Sequence, residues 1–204
     1  MSAPPGADAP PRRSGAFVVV VGPDGVGKTA VARALLRCFP GPTAYFHFTP
    51  PTTGELAAAP PEHSPPPPSK GTADGFRVVG WVRLTRNFLR FWLGYLRRVR
   101  PAVRRGALVV GDRWAYGYVA QPRALRFHGP RGLARLAIRA LPRPDLVANL
   151  HAPPAVIRAR KQELTVEEIE AELAAWASVP EPRLRTFDAA ALPEVIAQRI
   201  LQEL

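Results

Sequence analysis

The sequence predicts a three-layer α/β fold, a five-stranded parallel sheet flanked by helices. Three observations lead there. Ala16-Phe17-Val18-Val19-Val20-Val21 is apolar at every position, which suits a central strand buried on both faces. Further short apolar runs alternate with stretches of helical period up to the end of the chain. The junctions between them are rich in Pro and Gly, which punctuate elements, and no segment is repeated.

Residues 1–15 are mostly Pro, Ala, Gly and Arg without apolar period and are expected to be a disordered tail. The first strand then leads into Gly22-Pro23-Asp24-Gly25-Val26-Gly27-Lys28-Thr29, the pattern G-x-x-x-x-G-K-T, and helix-prone Ala30 to Leu36 follow. The glycines let the backbone turn tightly and aim N–H groups at a phosphate. The helix N-terminus adds partial positive charge. Lys28 is expected to reach the β- and γ-phosphates of a nucleotide, and the Thr29 hydroxyl to hold Mg²⁺. The expected nucleotide-binding residues are Gly22, Asp24, Gly25, Val26, Gly27, Lys28, Thr29 and Ala30. A plain Gly-rich turn with a surface lysine would not need all four fixed positions filled.

Pro40-Gly41-Pro42 stops the first helix near Phe39. Ala44-Tyr45-Phe46-His47-Phe48 reads as the second strand. Residues 50–75 hold Pro50, Pro51, Pro60, Pro61 and the run Pro65 to Pro68, which neither a helix nor a central strand accepts. A loop of polyproline character is expected: an active-site flap, a linker, or a ligand for a proline-binding partner. Val78 to Arg104 reads as one long helix that Pro101 should split or kink. Arg83, Arg86, Arg90, Arg97 and Arg104 fall on one stripe, and Trp81, Phe88, Trp92, Tyr95 and Val99 share another face. Aromatics packed on the sheet beneath a solvated Arg stripe is the plain reading. One or two arginines near the helix start are expected to face the site, and a basic helix lying on a membrane is the other reading.

Ala107 to Gly111 is the third strand and ends in Asp112-Arg113-Trp114. Ligands gather at the carboxyl ends of parallel strands. Asp112 is therefore placed to meet Mg²⁺ or to accept a proton from an attacking hydroxyl, and Arg113 to grip a phosphate. A strand-end or helix-cap role is the plain alternative for Asp112. Ala115 to His128 is aromatic and declares no conformation. Arg131 to Leu141 is a short helix cut off by Pro142, and Asp145 to His151 is the fourth strand. Pro153-Pro154 opens a helix carrying Arg158, Arg160 and Lys161. Thr165-Val166-Glu167-Glu168 fits a capping box for a helix running to about Ser178. Arg183 to Asp188 is the fifth strand, and Leu192 to Leu204 an amphipathic last helix.

The 204 residues suffice for one α/β domain over 16–204 with a sizeable core. The single cysteine, Cys38, leaves no internal disulfide and reads as a packed helix thiol. No signal-peptide pattern and no run of about 18 uncharged apolar residues is present, so cytoplasmic residence is expected. The net charge is +12, and 25 of the 28 basic residues are Arg. Between Phe76 and Arg143 stand 16 arginines and a single acid, Asp112. Such a region attracts polyanions, nucleotides or an anionic membrane surface. No dedicated fold or stacking motif for nucleic acid accompanies it, so no specific nucleic-acid partner is expected.

These residues resemble thymidylate kinase and its relatives among the P-loop nucleotide kinases, from about residue 16 to 204. Asp24, third in the phosphate loop, is similar to the family's acceptor-binding carboxylate. Asp112-Arg113-Trp114 resembles its D-R-Y/W motif. Arg143-Pro144-Asp145-Leu146 through Pro153-Pro154-Ala155-Val156 resembles its P-D-L … P-P-E-V strand and turn. Arg158-Ala159-Arg160-Lys161 falls in the lid region, 152–178, which in this family brings arginines to the phosphates. The resemblance implies a P-loop kinase fold using ATP and Mg²⁺. It implies catalytic roles for Lys28, Asp112, Arg113, Arg158 and Arg160, with Thr29 and Asp112 at the metal. The chain departs from the family where T-R-E-P is replaced by His47-Phe48-Thr49-Pro50, and where Gly117 stands in place of a Ser. Ala120-Gln121-Pro122 keeps only part of the family's A-Y-Q stretch.

The activity this implies is transfer of the ATP γ-phosphoryl to a nucleoside monophosphate, dTMP-like. Two readings stay open beside it: a kinase of a sugar or lipid-linked acceptor, and a non-catalytic nucleotide-binding regulator. Expected partners are ATP and a small anionic or hydroxylated acceptor, with an anionic membrane surface and a homodimer left open.

Overall fold

A strand with an apolar side chain at every position can be covered only from both sides. In the computed structural model, β1 (Ala16–Val21) is buried at all six residues. It lies at the centre of a five-stranded sheet of order β2-β3-β1-β4-β5. The structure describes residues 14–61, 77–122, 125, 127, 130–162 and 164–204, with backbone only at 77–83 and 131. The other strands are β2 (Thr43–His47), β3 (Leu108–Asp112), β4 (Leu146–His151) and β5 (Leu184–Asp188). Every pairing is parallel, so all five carboxyl ends open on one edge.

The two-residue period of β1 divides the core. Ala16, Val18 and Val20 meet α1 (Lys28–Cys38), α6 (Pro154–Arg160) and α8 (Pro193–Gln202) through residues such as Leu35, Ile157 and Ile200. Cys38 packs at the margin of this cluster, as a helix thiol should. Phe17, Val19 and Val21 face the opposite layer: α2 (Arg77–Gly94), α3 (Arg100–Arg104), α4 (Gly117–Ala120) and α5 (Arg131–Arg139). Helix α7 (Val166–Ala177) gives Ile169 to the first cluster and Trp176 to the second. Its start is the expected capping box. Thr165 Oγ1 accepts from the Glu168 N–H, and the Glu168 carboxylate accepts from the Thr165 N–H.

The Pro-Asp of Arg143-Pro144-Asp145 has a structural use. Asp145 Oδ2 accepts from the Phe17 N–H at 2.9 Å, and the Asp145 N–H donates to the Phe17 carbonyl at 2.7 Å. The entry to β4 is thereby tied to β1.

The long basic helix differs from expectation at Pro101. The chain is helical from Arg77 to Arg104 and does not split. A five-residue π-helical turn, Tyr95–Val99, links α2 to α3, with the Arg100 N–H donating to the Tyr95 carbonyl. Pro101 then sits in the first turn of α3, where a missing N–H matters least. Phe88, Trp92, Tyr95 and Val99 pack toward the second core, whereas Arg86, Arg90, Arg97 and Arg104 are exposed. The side chains of Trp81 and Arg83 lie outside the described residues, as do residues 1–13 of the expected tail and 62–75 of the Pro-rich loop. The described part of that loop covers a sheet edge: Ala57 exchanges two backbone hydrogen bonds with Tyr45 of β2, at 2.7 and 2.9 Å. The stretch that declared no conformation begins as a 3₁₀ turn, Trp114–Tyr116, followed by α4.

Gly94 shows how closely that loop lies on α2. A Cβ at Gly94 would stand 2.5 Å from the Pro50 carbonyl oxygen. Gly→Ala within a helix ordinarily stabilises by about 1 kcal/mol. Overpacking reverses the sign here, and Gly94→Ala is expected to destabilise by roughly 1–3 kcal/mol, read as a lower urea midpoint at unchanged slope.

Candidate functional site

The turn between β1 and α1 depends on backbone that only glycine adopts easily. Gly25 has φ +84°, and a Cβ there would also stand 2.9 Å from the Lys161 Cβ. Gly27, at φ +105°, caps α1 in the left-handed region. The N–H groups of the first turn of α1 have no intrahelical acceptors, so the turn presents donors and partial positive charge at the carboxyl edge of the sheet. Lys28 is buried with its ammonium over this loop. Nζ donates to the Gly22 carbonyl at 3.1 Å and the Pro23 carbonyl at 2.7 Å, and lies 3.4 Å from Asp24 Oδ1. Burial, and then the Arg113 charge, pull the Lys28 pKa below its ordinary 10.5, against the opposing pull of Asp24 and Asp112. Thr29 is half-buried and Ala30 exposed in the first turn of α1.

Asp24 joins three segments of the chain. Besides Lys28, Arg113 Nη2 donates a short hydrogen bond to Asp24 Oδ1, and Lys161 Nζ lies 3.7 Å from Oδ2. Burial pushes the Asp24 carboxyl up, but Lys28, Arg113 and Lys161 together outweigh it and hold the group below its ordinary 3.8. Glu172 of α7 accepts from the Asp24 backbone N–H at 3.3 Å.

Asp112 is the last residue of β3 and is 5 % exposed. The β2–β3 register places His47 directly beside it. Asp112 Oδ2 lies 3.1 Å from His47 Nδ1 and accepts from the Tyr45 hydroxyl at 3.4 Å. Its Oδ1 is buried and has no hydrogen-bond partner among the described residues. Burial raises the Asp112 pKa, but the His47 hydrogen bond and the charges of Lys28 and Arg113 carry it below the ordinary carboxylate value. The backbone here is strained. Phe48, Arg113 and Trp114 all have positive φ, at 57°, 70° and 48°. A non-glycine residue there costs roughly 1–2 kcal/mol, and such strain persists where the surroundings over-determine it. The Phe48 N–H to Asp112 carbonyl bond, 2.8 Å, and the Arg113 N–H to Val20 carbonyl bond, 2.9 Å, fix these bends. The second accompanies the turn of the Arg113 side chain back to Asp24.

The basic residues at the end of α6 divide their work. Helix α6 ends at Arg160, and Lys161 leaves it in an extended conformation that carries its side chain to Asp24. Arg160 clasps the phosphate loop to the turn after β5, donating to the Val26 carbonyl at 3.1 Å and the Ala189 carbonyl at 3.2 Å. Arg158 is exposed, close enough to Glu167 to help lower its pKa behind the Glu167 and Thr165 hydrogen bonds, and makes no hydrogen bond or ion pair among the described residues. The structure thus gathers Gly22, Asp24, Gly25, Val26, Gly27, Lys28, Asp112, Arg113 and Arg160 about one edge and leaves Arg158 outside the charge cluster. His47, Tyr45 and Glu172 carried no signal in the sequence. Lys161 carried one only as part of the basic run. A hard divalent cation fits the oxygen donors, the Thr29 hydroxyl and the unpartnered Asp112 Oδ1. Among the described residues no group of three or more His, Cys, Asp or Glu could hold a metal by protein ligands alone.

No protein-family model matches the sequence, and no curated protein matches it. The fold is similar to that of thymidylate kinase from Candida albicans, with a TM-score of 0.62 and 16 % identity over 93 % of this chain and 90 % of that one. The likeness establishes a P-loop kinase-like fold.

The Asp24 cluster sets a pH dependence. Its carboxyl is held lower in the folded than in the unfolded chain, so its contribution is complete above the unfolded pKa. The contribution is lost as pH falls through the folded pKa, below 3.8. Asp24→Asn leaves three cations facing one another. At pH 7 it is expected to destabilise by about 1–3 kcal/mol, toward the lower figure because the site is partly solvated. Denaturant melts from pH 7 down to 3 should show the wild-type advantage shrinking below pH 4. A gap that stays constant would contradict the assignment.

Proposed function

We propose that this chain is an ATP-dependent phosphotransferase related in mechanism to thymidylate kinase, moving the γ-phosphoryl to a nucleoside monophosphate. One observation carries the reading: Lys28, Asp24, Arg113 and Lys161 converge at the carboxyl edge shared by β1 and β3. Phosphoryl transfer needs position and neutralised charge more than covalent help from the protein. Backbone N–H groups of residues 25–29 and the Lys28 ammonium hold the donor's β- and γ-phosphates. An oxygen of the acceptor phosphate attacks the γ-phosphorus, the β–γ bridging bond breaks, and ADP departs. Asp24 and Arg113 orient the acceptor, and Lys161 brings cationic charge from the lid. Arg160 ties that lid to the loop. Thr29 and Asp112 would hold Mg²⁺, which supplies further charge neutralisation on the phosphates when bound.

A second reading has its own support. Where the family has the arginine and the acid of T-R-E-P, this chain has Phe48 and Thr49, and the preceding His47 bonds Asp112. One fewer cation favours a neutral hydroxyl acceptor over a phosphate. The hydroxyl oxygen would then attack the same phosphorus and give its proton to Asp112. A sugar or lipid-linked alcohol fits that description, and a non-catalytic nucleotide-binding regulator is the outcome if neither acceptor reacts.

Radiolabelled ATP with thymidylate, other monophosphates, sugars and lipid-linked alcohols separates these cases. Label on thymidylate supports the first reading, and label on alcohols alone supports the second. Lys28→Met should cut transfer at least about 100-fold while near-UV circular dichroism stays native. Undiminished turnover in that variant would remove the phosphate loop from the mechanism.

A further inference from the structure

Helices α2 and α5 form part of the layer on one side of the sheet, and Leu84, Phe91, Ala134 and Ile138 bury their inner faces in a common core. The outer face is unusual in two ways. Leu89, Leu93 and Leu96 stand at helical spacing and are 62, 38 and 44 % exposed, and Leu136 of α5 is 62 % exposed. Around them lie exposed Arg86, Arg90, Arg97, Arg135 and Arg139. At about 100° per residue Arg86, Leu89, Arg90 and Leu93 of α2 share roughly a third of the helix circumference, and Leu96 and Arg97 follow in the widened turn. The only acid in this stretch of chain is Asp112, and it is buried at the site. No described carboxylate pairs with any of these five arginines.

We infer that this α2–α5 face docks on an anionic lipid bilayer, with guanidinium groups on the headgroups and the leucines entering the headgroup–acyl boundary. Arginine without acid selects an anionic partner. Solvent-exposed leucines between the arginines gain free energy only where apolar matter meets them, which a bilayer surface supplies and a phosphate backbone does not. A second copy of the chain is a poorer fit, because a self-complementary contact would bring arginine against arginine. No described helix is long and apolar enough to cross a membrane, so the contact is peripheral. It does not depend on the activity proposed above.

Vesicle flotation of the full chain tests this. Wild type should float with phosphatidylglycerol-containing vesicles and stay down with pure phosphatidylcholine, and added salt should weaken binding. Arg86→Gln/Arg90→Gln/Arg97→Gln and Leu89→Ser/Leu93→Ser/Leu96→Ser should each lose on the order of tenfold or more in vesicle affinity. Both sets lie on solvent-exposed positions, and an unchanged thermal melt confirms that they fold. Three results would overturn the proposal. They are full vesicle binding by the leucine variant, DNA binding without vesicle binding, and a wild-type dimer in sedimentation that the leucine variant breaks.

Discussion

One carboxylate, Asp24, holds cations from three distant parts of the chain: Lys28 in its own loop, Arg113 at the end of β3 and Lys161 beyond α6. Coulombic attraction at partial burial exceeds that at the open surface, while desolvating the charges costs free energy. Sharing a single anion among three cations meets both conditions. It also draws the end of α6 to the loop and the loop to the strand end. The sheet makes this meeting feasible, because parallel pairing of β1 with β3 and of β1 with β4 brings their carboxyl ends to the same edge.

The surrounding scaffold limits how far that edge can relax. Asp145 grips both backbone groups of Phe17, and the β2–β3 register sets His47 against Asp112. Three left-handed residues crowd the ends of β2 and β3, where the chain must turn sharply with large side chains in place. Aromatic rings brace the bends: Phe91 and Trp114 meet at 4.7 Å, and Phe48 and Phe91 at 5.5 Å. Strain at the strand ends is thus backed by packing from α2.

The features legible in the sequence are local ones. The phosphate loop is a contiguous pattern, the capping box at Thr165 spans one turn, and four apolar runs between breakers mark β1 to β4. What the sequence hides depends on register and on where a helix stops. His47 meets Asp112 only because β2 and β3 pair at those residues, and nothing near either residue announces it. Among Arg158, Arg160 and Lys161, composition alone cannot choose. The end of α6 at Arg160 decides which reaches Val26, which reaches Asp24 and which stays in solvent. Glu172, on α7, touches the loop through a contact 148 positions away in the chain. Pro101 announced a break, but the preceding turn widens instead.

That widened turn, Tyr95–Val99, makes the helix a matter of phase. Its five residues hold one more than an ordinary turn needs. Excising a single residue there would let the usual ladder close and keep α2 in phase with α3, whereas the same excision just upstream, within 92–94, would rotate the preceding part of α2 by about 100°. Phe91, now 1 % exposed, would swing away from Trp114, and a guanidinium would turn toward the sheet in its stead. Loops elsewhere can absorb length changes at little thermodynamic penalty. Within α2 a gap of one is a frameshift of surfaces, which the widened turn can absorb.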